Sequence, residues 1–433
     1  MVDYAGPFDP SFDLRSLSRA ALARLGREYM MVGHLVDRAL MPHVAERFGA
    51  DGIEGVAIDE WMGASPVYTQ RMRRALRIDG DDVPAIMKGL QLDVGAPHQY
   101  MDFRFDVQAP DRGTFWLQSC GALLDVEPYG EQAVFSMCHA IEDPTFDATA
   151  IATNPRARVR PIHRPPRQPA DRVPHCHWQI TIDPGTEPLV ERDVTRRVAA
   201  SRLARLAVPR PDDAEPGGRS DYAGTFDPTF QLEDLAHGTL VVTLTEFLLQ
   251  CHLLVRAADL AIRARSDAEG ASAILRKQWI GLAWVATERL CRALRIEGTD
   301  VGSLLKVVQL HPSFPPGYTK LRCEQVDERR GRFWLEHCDA LAEEEPAGWF
   351  PLLGHGEEAA LAAMVQARNP RARCRPIEAT GAARHAWEIT VDDAAEPATE
   401  PPEVALVRLS GSSRFQFAPG DAFRARMRAA SAK

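Results

Sequence analysis

Two short stretches and one isolated thiol carry the side chains best suited to chemistry. His175-Cys176-His177, opening HCHWQITID, sets three potential metal ligands side by side; Cys138-His139 stands near the end of EPYGEQAVFSMCHAI; and Cys120 closes FWLQSC. Thiolate and imidazole are the ligands zinc prefers, so Cys120, Cys138, His139 and Cys176 form a candidate zinc set. No CxxC pair fixes two of them locally, so tertiary structure alone would have to assemble the site. A cysteine whose thiol pKa is lowered by an imidazole is also a nucleophile. Cys120 with His139 is the candidate pair, with Glu127 or Glu142 orienting the imidazole or moving a proton. A free cysteine equally packs as a small apolar group, and Glu127, just before Pro128, equally serves as a helix cap. In PIHRPPRQPADR, His163, Arg164 and Arg167 could grip a substrate carboxylate or phosphate, with Cys176 on the strand that follows. The same segment also reads as a proline-stiffened hairpin loop.

A strand alternates its side chains between two faces. If HCHWQITID is a strand, Cys176 shares the apolar face with Trp178, Ile180 and Ile182, and His175 and His177 lie opposite with Gln179 and Thr181. The expectation is that only Cys176 of the three points towards the core.

The elements that must position these residues occur twice. DYAGPFDPSF begins at Asp3 and DYAGTFDPTF at Asp221, and the same spacing relates Trp61 to Trp279, Arg74 to Arg292 and Tyr100 to Tyr318. RGTFWLQSCGALLDVEP from Arg112 and RGRFWLEHCDALAEEEP from Arg330 are identical at 10 of 17 positions. After two short deletions, NPRARVRPI meets NPRARCRPI and HCHWQITID meets RHAWEITVD. A period this long means tandem globular domains. The second-repeat equivalents of the candidate residues are Cys338, Glu345, His355 and Glu358, with His385 in the place of Cys176. His139 and Glu142, like His355 and Glu358, are three apart and share a helix face.

Hydrophobic periodicity predicts, in the first repeat, helices over 15–48 and 53–78 separated near Gly49, a short third helix to about Leu92, and a hairpin of YMDFRFDV and GTFWLQSC around APDRG. A helix through EPYGEQAVFSMCHAI follows, broken by Pro144, and then a second strand pair. The fold class is therefore α+β, each copy joining a helical part to an antiparallel sheet of about four strands with a packed helix. The expected boundaries are 1–184 for the first repeat, 185–220 for a linker with a helical arm, 221–393 for the second repeat and 394–433 for a C-terminal extension.

A net charge of −9 argues against nucleic acid as a partner, since phosphate contacts need a surplus of Lys and Arg. No stretch reaches the roughly 18 uninterrupted apolar residues of a membrane span, and the N-terminus lacks the basic and apolar regions of a signal peptide, so a cytoplasmic location is expected. Eight cysteines in 433 residues are expected to be thiols. Apart from zinc, no cofactor is indicated: no phosphate-binding glycine loop, GxSxG, HExxH or dinucleotide fingerprint occurs.

On TFWLQSCGAL, MCHAIEDPTFDATA, NPRARVRPIHR and CHWQITI, each copy resembles the L-2-amino-thiazoline-4-carboxylic acid hydrolase-like family, and the layout is also similar to the 4-vinyl reductase-type small-molecule-binding domain. The resemblance implies a compact ligand-binding α+β domain acting on a small cyclic amide or thiazoline-like compound. The chain departs from it in being duplicated, and its second copy lacks the cysteines matching Cys138 and Cys176. The expected function is hydrolysis of a small polar or acidic metabolite at a Cys/His centre in the first repeat. The alternative is a non-catalytic small-molecule or metal sensor whose two repeats pack together like a dimer.

Overall fold

The computed structural model describes residues 3–212, 217–354 and 358–431. The first repeat begins with α1 (Arg19–Ala75), capped by the Ser18 hydroxyl, and α2 (Val83–Leu90), capped by Asp82 Oδ1 on the Ala85 N–H. Gly49 has φ 73° inside α1, a left-handed value that breaks it in two. The second repeat has its turn between two helices at the corresponding point. The sheet follows as β1 (Met101–Ala109) and β2 (Arg112–Cys120). Next come α3 (Gly121–Val126), α4 (Glu131–Phe135), a π-helical turn over Ser136–Ile141, and α5 (Glu142–Ile151). Then β3 (Ala157–His163) and β4 (Cys176–Ile182) complete a sheet of order β1-β2-β4-β3, with every pairing antiparallel. Pro144 does not break this helix. It lies in the first turn of α5, where a missing N–H is least costly.

The segment from 185 contains α6 (Asp193–Ala199) and α7 (Arg202–Arg205). The second repeat then runs α8 (His237–Arg263), α9 (Ala268–Leu294) and α10 (Val301–Leu310). Strands β5 (Leu321–Gln325) and β6 (Arg330–Glu336), α11 (Ala359–Gln366), β7 (Ala372–Ile377) and β8 (Ala383–Val391) follow in the order β5-β6-β8-β7. The chain finishes with α12 (Pro402–Val407) and α13 (Gly420–Ser431). Helix α8 is long and apolar enough to cross a membrane, but its apolar side chains are buried within the fold. The two halves are thus α+β domains, each with a four-stranded sheet. In each sheet a pair of stacked aromatics fills the core, Phe115 on Trp178 and Phe333 on Trp387.

The repeats exchange equivalent contacts. Arg71 is held by Glu246 through two bonds of 2.8 and 2.9 Å, and Arg289 by Glu28 at 2.7 Å; all four side chains are buried or nearly so. Arg71 also donates to the carbonyls of Ala204 and Leu206 after the first repeat, as Arg289 does to Ser412 and Phe415 after the second. The duplicated DYAG motifs cross over in the same way. Tyr222 donates to Gln91 Oε1 at 2.8 Å while Lys88 binds the Tyr222 carbonyl and lies over its ring. Tyr4 donates to Gln309 at 2.7 Å, with Lys306 on the Tyr4 carbonyl and ring. Such reciprocity is the mark of an isologous interface, here made within one chain. It gives the most similar motif of the duplication a structural task.

Candidate functional site

In the first repeat the chain turns at the end of β2 into α3, and Cys120 caps that helix: its Sγ accepts the Leu123 N–H at 3.3 Å. The thiol is buried, and burial pushes its pKa up to about 12, with Glu142 adding to the rise. Cys138 on the π turn and Cys176 at the start of β4 are buried as well. Burial raises both, and Glu142 and the neighbouring thiols add to it. These three cysteines and Glu142 therefore converge on one region, and all eight cysteines of the chain are free thiols. At neutral pH Cys120, Cys138 and Cys176 are thiols, not thiolates.

The expected metal set is not assembled. Among the described residues no group of three or more His, Cys, Asp or Glu side chains is placed to hold a metal ion. The reason is visible at His139: its Nε2 donates to the Pro165 carbonyl at 2.7 Å and its ring stacks on the exposed Phe135 at 4.4 Å, so it serves the loop. The imidazole that meets Cys120 is that of His175, whose Nδ1 accepts the Cys120 backbone N–H at 3.1 Å. His175 precedes β4 and is only 6% exposed; opposite the apolar face, as expected, it lies against the loop at Arg167 and not in solvent. On the expected apolar face Cys176, Trp178 and Ile180 are buried and Ile182 is partly buried. His177 packs edge-on against Trp116 and His163, and burial lowers both histidine pKa values.

The loop arginines find carboxylates of the chain itself. Arg167 binds Glu127 in a bidentate pair, 2.8 Å on each side, and its Nη1 lies 3.4 Å from His175 Nε2; Arg164 binds Asp143 at 2.5 Å. Glu142 differs. Its Oε2 is buried without a partner, and burial, aided by Asp143 and opposed by Arg164, raises its pKa to about 8. Glu358, its equivalent ahead of α11, also buries an unpartnered Oε2.

A second group was not picked out from the sequence. His34, Arg38, Tyr100 and Asp125 meet inside the first repeat: Tyr100 donates to Asp125 at 2.9 Å, and Arg38 donates to His34 Nε2 at 3.3 Å. Burial raises the Asp125 carboxyl, but the neighbouring His34 and Arg38 and the bond from the Ser410 hydroxyl outweigh it and hold the pKa at about 2. Asp125 also accepts the Gly411 N–H at 2.8 Å and so anchors the C-terminal segment. The second repeat repeats the arrangement with Tyr318 on Glu343 at 3.0 Å, and Glu343 caps α7 through the N–H groups of Arg202 and Leu203. His34/His252 and Arg38/Arg256 keep the spacing that relates the repeats, and that signal could have revealed them. Nearby, Glu60 is fully buried with both oxygens unpartnered, and burial raises its pKa well above the carboxylate range.

The repeats differ where the loop before the last strand crosses. In the second repeat a cleft of about 580 Å³ lies between the end of β6, the turn through Leu341–Ala347, Phe350–Leu353 and the start of β8, and Arg384, His385 and His337 line it. In the first repeat the corresponding walls, at Pro128 and His175, are bridged by Arg167 on Glu127, from a loop six residues longer. Of the remaining second-repeat candidates, Cys338 is half-buried, Glu345 pairs with Arg197 at 2.5 Å, His385 stacks on Trp387, and His355 lies outside the described residues. Compared with family models, curated proteins and solved structures, the chain matches none.

Proposed function

We propose that the chain is a small-molecule-binding protein in which two reciprocal repeats form a single-chain pseudo-dimer, with the cleft of the second repeat as the ligand seat. The observation that carries this is the contrast between the repeats: equivalent walls enclose a cleft in one and are bridged by Arg167–Glu127 in the other. The cleft has the volume and the apolar lining, with a few polar groups, typical of ligand sites. Cys120 and His139 as a nucleophilic pair have weaker support, because the thiol is protonated at neutral pH and His139 is bound to Pro165.

Titration of the full chain with 1-anilinonaphthalene-8-sulfonate, followed by fluorescence, tests the proposal. One saturable site per chain, lost in Leu341→Trp with the circular dichroism unchanged, is expected. Two equal sites, or binding indifferent to Leu341→Trp, contradicts it.

A second reading, hydrolysis in the first repeat, has one observation in its favour. Glu142 is a carboxyl that keeps its proton at pH 7, with an oxygen left free beside three thiols, which suits a general acid. Turnover of a cyclic amide or thiazoline that is lost in Glu142→Gln and declines above pH 8 is its test.

A further inference from the structure

We infer that the second-repeat cleft takes a small carboxylate-bearing molecule with an apolar body, its carboxylate gripped by Arg384 and His337. This rests on the reading of the cleft as a ligand seat and adds the chemistry of the ligand. The walls supply the apolar half: Leu341, Phe350 and Leu353 line the cleft, with Pro346 and Pro351 beside them. The charge balance supplies the other half. Glu343, the acid among the lining residues, has no capacity to spare, since it accepts from Tyr318 and from the backbone of Arg202 and Leu203 and lies 3.7 Å from Arg256. Arg384 and His337 are exposed, and their side chains make no hydrogen bond or ion pair with any described residue. What the described lining offers a ligand is thus the Arg384 guanidinium and the His337 imidazole, with His385 stacked on Trp387, above an apolar floor. An arginine fork matches a carboxylate in two parallel bonds, so an organic acid satisfies it where a neutral molecule cannot.

The first repeat supports the assignment from within the chain. At the corresponding place it already holds an arginine–carboxylate pair, Arg167 on Glu127, with His175 alongside in the position of Arg384. In the second repeat Glu345, the equivalent of Glu127, turns to Arg197, and among the described residues no carboxylate pairs with Arg384.

The test is calorimetric titration of the full chain with phenylacetate and with phenylacetamide, which has the same shape without the charge. Phenylacetate is expected to saturate one site per chain and phenylacetamide to bind about ten-fold more weakly, as fits the loss of a charge-assisted pair. Arg384→Gln is expected to weaken phenylacetate by about the same factor and leave phenylacetamide unchanged; the residue is exposed, so the fold is retained. Equal affinity for acid and amide, or an acid affinity indifferent to Arg384→Gln, overturns the assignment and leaves the cleft a ligand seat for neutral molecules. Binding of neither probe, with 1-anilinonaphthalene-8-sulfonate also failing to bind, overturns both.

Discussion

Replacing Glu246 by alanine strips the counter-charge from Arg71 at the centre of the contact between the repeats. Both side chains are 1% exposed, and two nitrogen–oxygen contacts of 2.8 and 2.9 Å join them. At an effective dielectric of about 20 one such contact is worth roughly 5–6 kcal/mol, and the desolvation already expended on both ions offsets much of that. What remains after Glu246→Ala is a buried guanidinium with two carbonyl acceptors, a state that costs about 3–5 kcal/mol. Glu28→Ala, on the equivalent Arg289, is expected to cost less, about 2–3 kcal/mol, because that pair has one contact and Glu28 is 12% exposed. Urea unfolding followed by tryptophan fluorescence reads both. With an m-value of roughly 4 kcal/mol per M for a chain of this size, Glu246→Ala moves the midpoint down by about 1 M. The double variant Arg71→Met/Glu246→Leu is expected to recover most of that loss, since an apolar pair avoids the desolvation altogether. A single variant that loses less than about 1 kcal/mol, or a double variant as unstable as the single one, refutes the reasoning.

Other consequences follow from the same structure. The folded pKa of Glu142 is raised to about 8, so the stability this carboxyl contributes is complete below its unfolded value of 4.5 and is lost as pH rises from there through 8. Glu142→Gln is therefore expected to stabilise the protein by roughly 1–3 kcal/mol at pH 8.5 and by little at pH 5, read from thermal unfolding at the two pH values. Arg167→Ala releases a partly exposed pair, so it is expected to cost no more than about 1 kcal/mol, while raising the count of anilinonaphthalene sites from one towards two in a fluorescence titration. Lys306→Met leaves the Tyr4 and Gly6 carbonyls without their shared donor, and a loss of about 1–3 kcal/mol is expected, with faster proteolytic cleavage within residues 3–12.

Much of the fold was legible because its signals are local. The alternation in YMDFRFDV and GTFWLQSC marks β1 and β2, the short third helix ends near Leu92 as α2 does, and Gly49 breaks the helical run where a left-handed residue was needed. Pro144 misled, because the π turn before it places the proline in a first turn, and a change of helical register leaves no mark in hydrophobic periodicity. The site was less legible. Side-chain type drew attention to His139, but its partner is a carbonyl 26 residues away on a proline-rich loop, and nothing local foretells that. Cys120, Cys138, Cys176 and Glu142 do gather, yet burial raises the thiol pKa values instead of activating the thiols as nucleophiles. Arg71 and Glu246 lie in different repeats, and their pairing shows only once each is recognised as half of a duplicated pair. The cleft lies where the second repeat is six residues shorter before β8, while the longer loop of the first repeat carries Arg167 to Glu127.

The most direct measurement of the central claim is anomalous diffraction from crystals of the full chain grown with 4-bromobenzoate. One bromine peak per chain between Leu341, Phe350 and Leu353, with the carboxylate turned to Arg384, is the predicted result. A peak in the first repeat beside Arg167, or no peak in the second-repeat cleft at a saturating concentration of the acid, contradicts it.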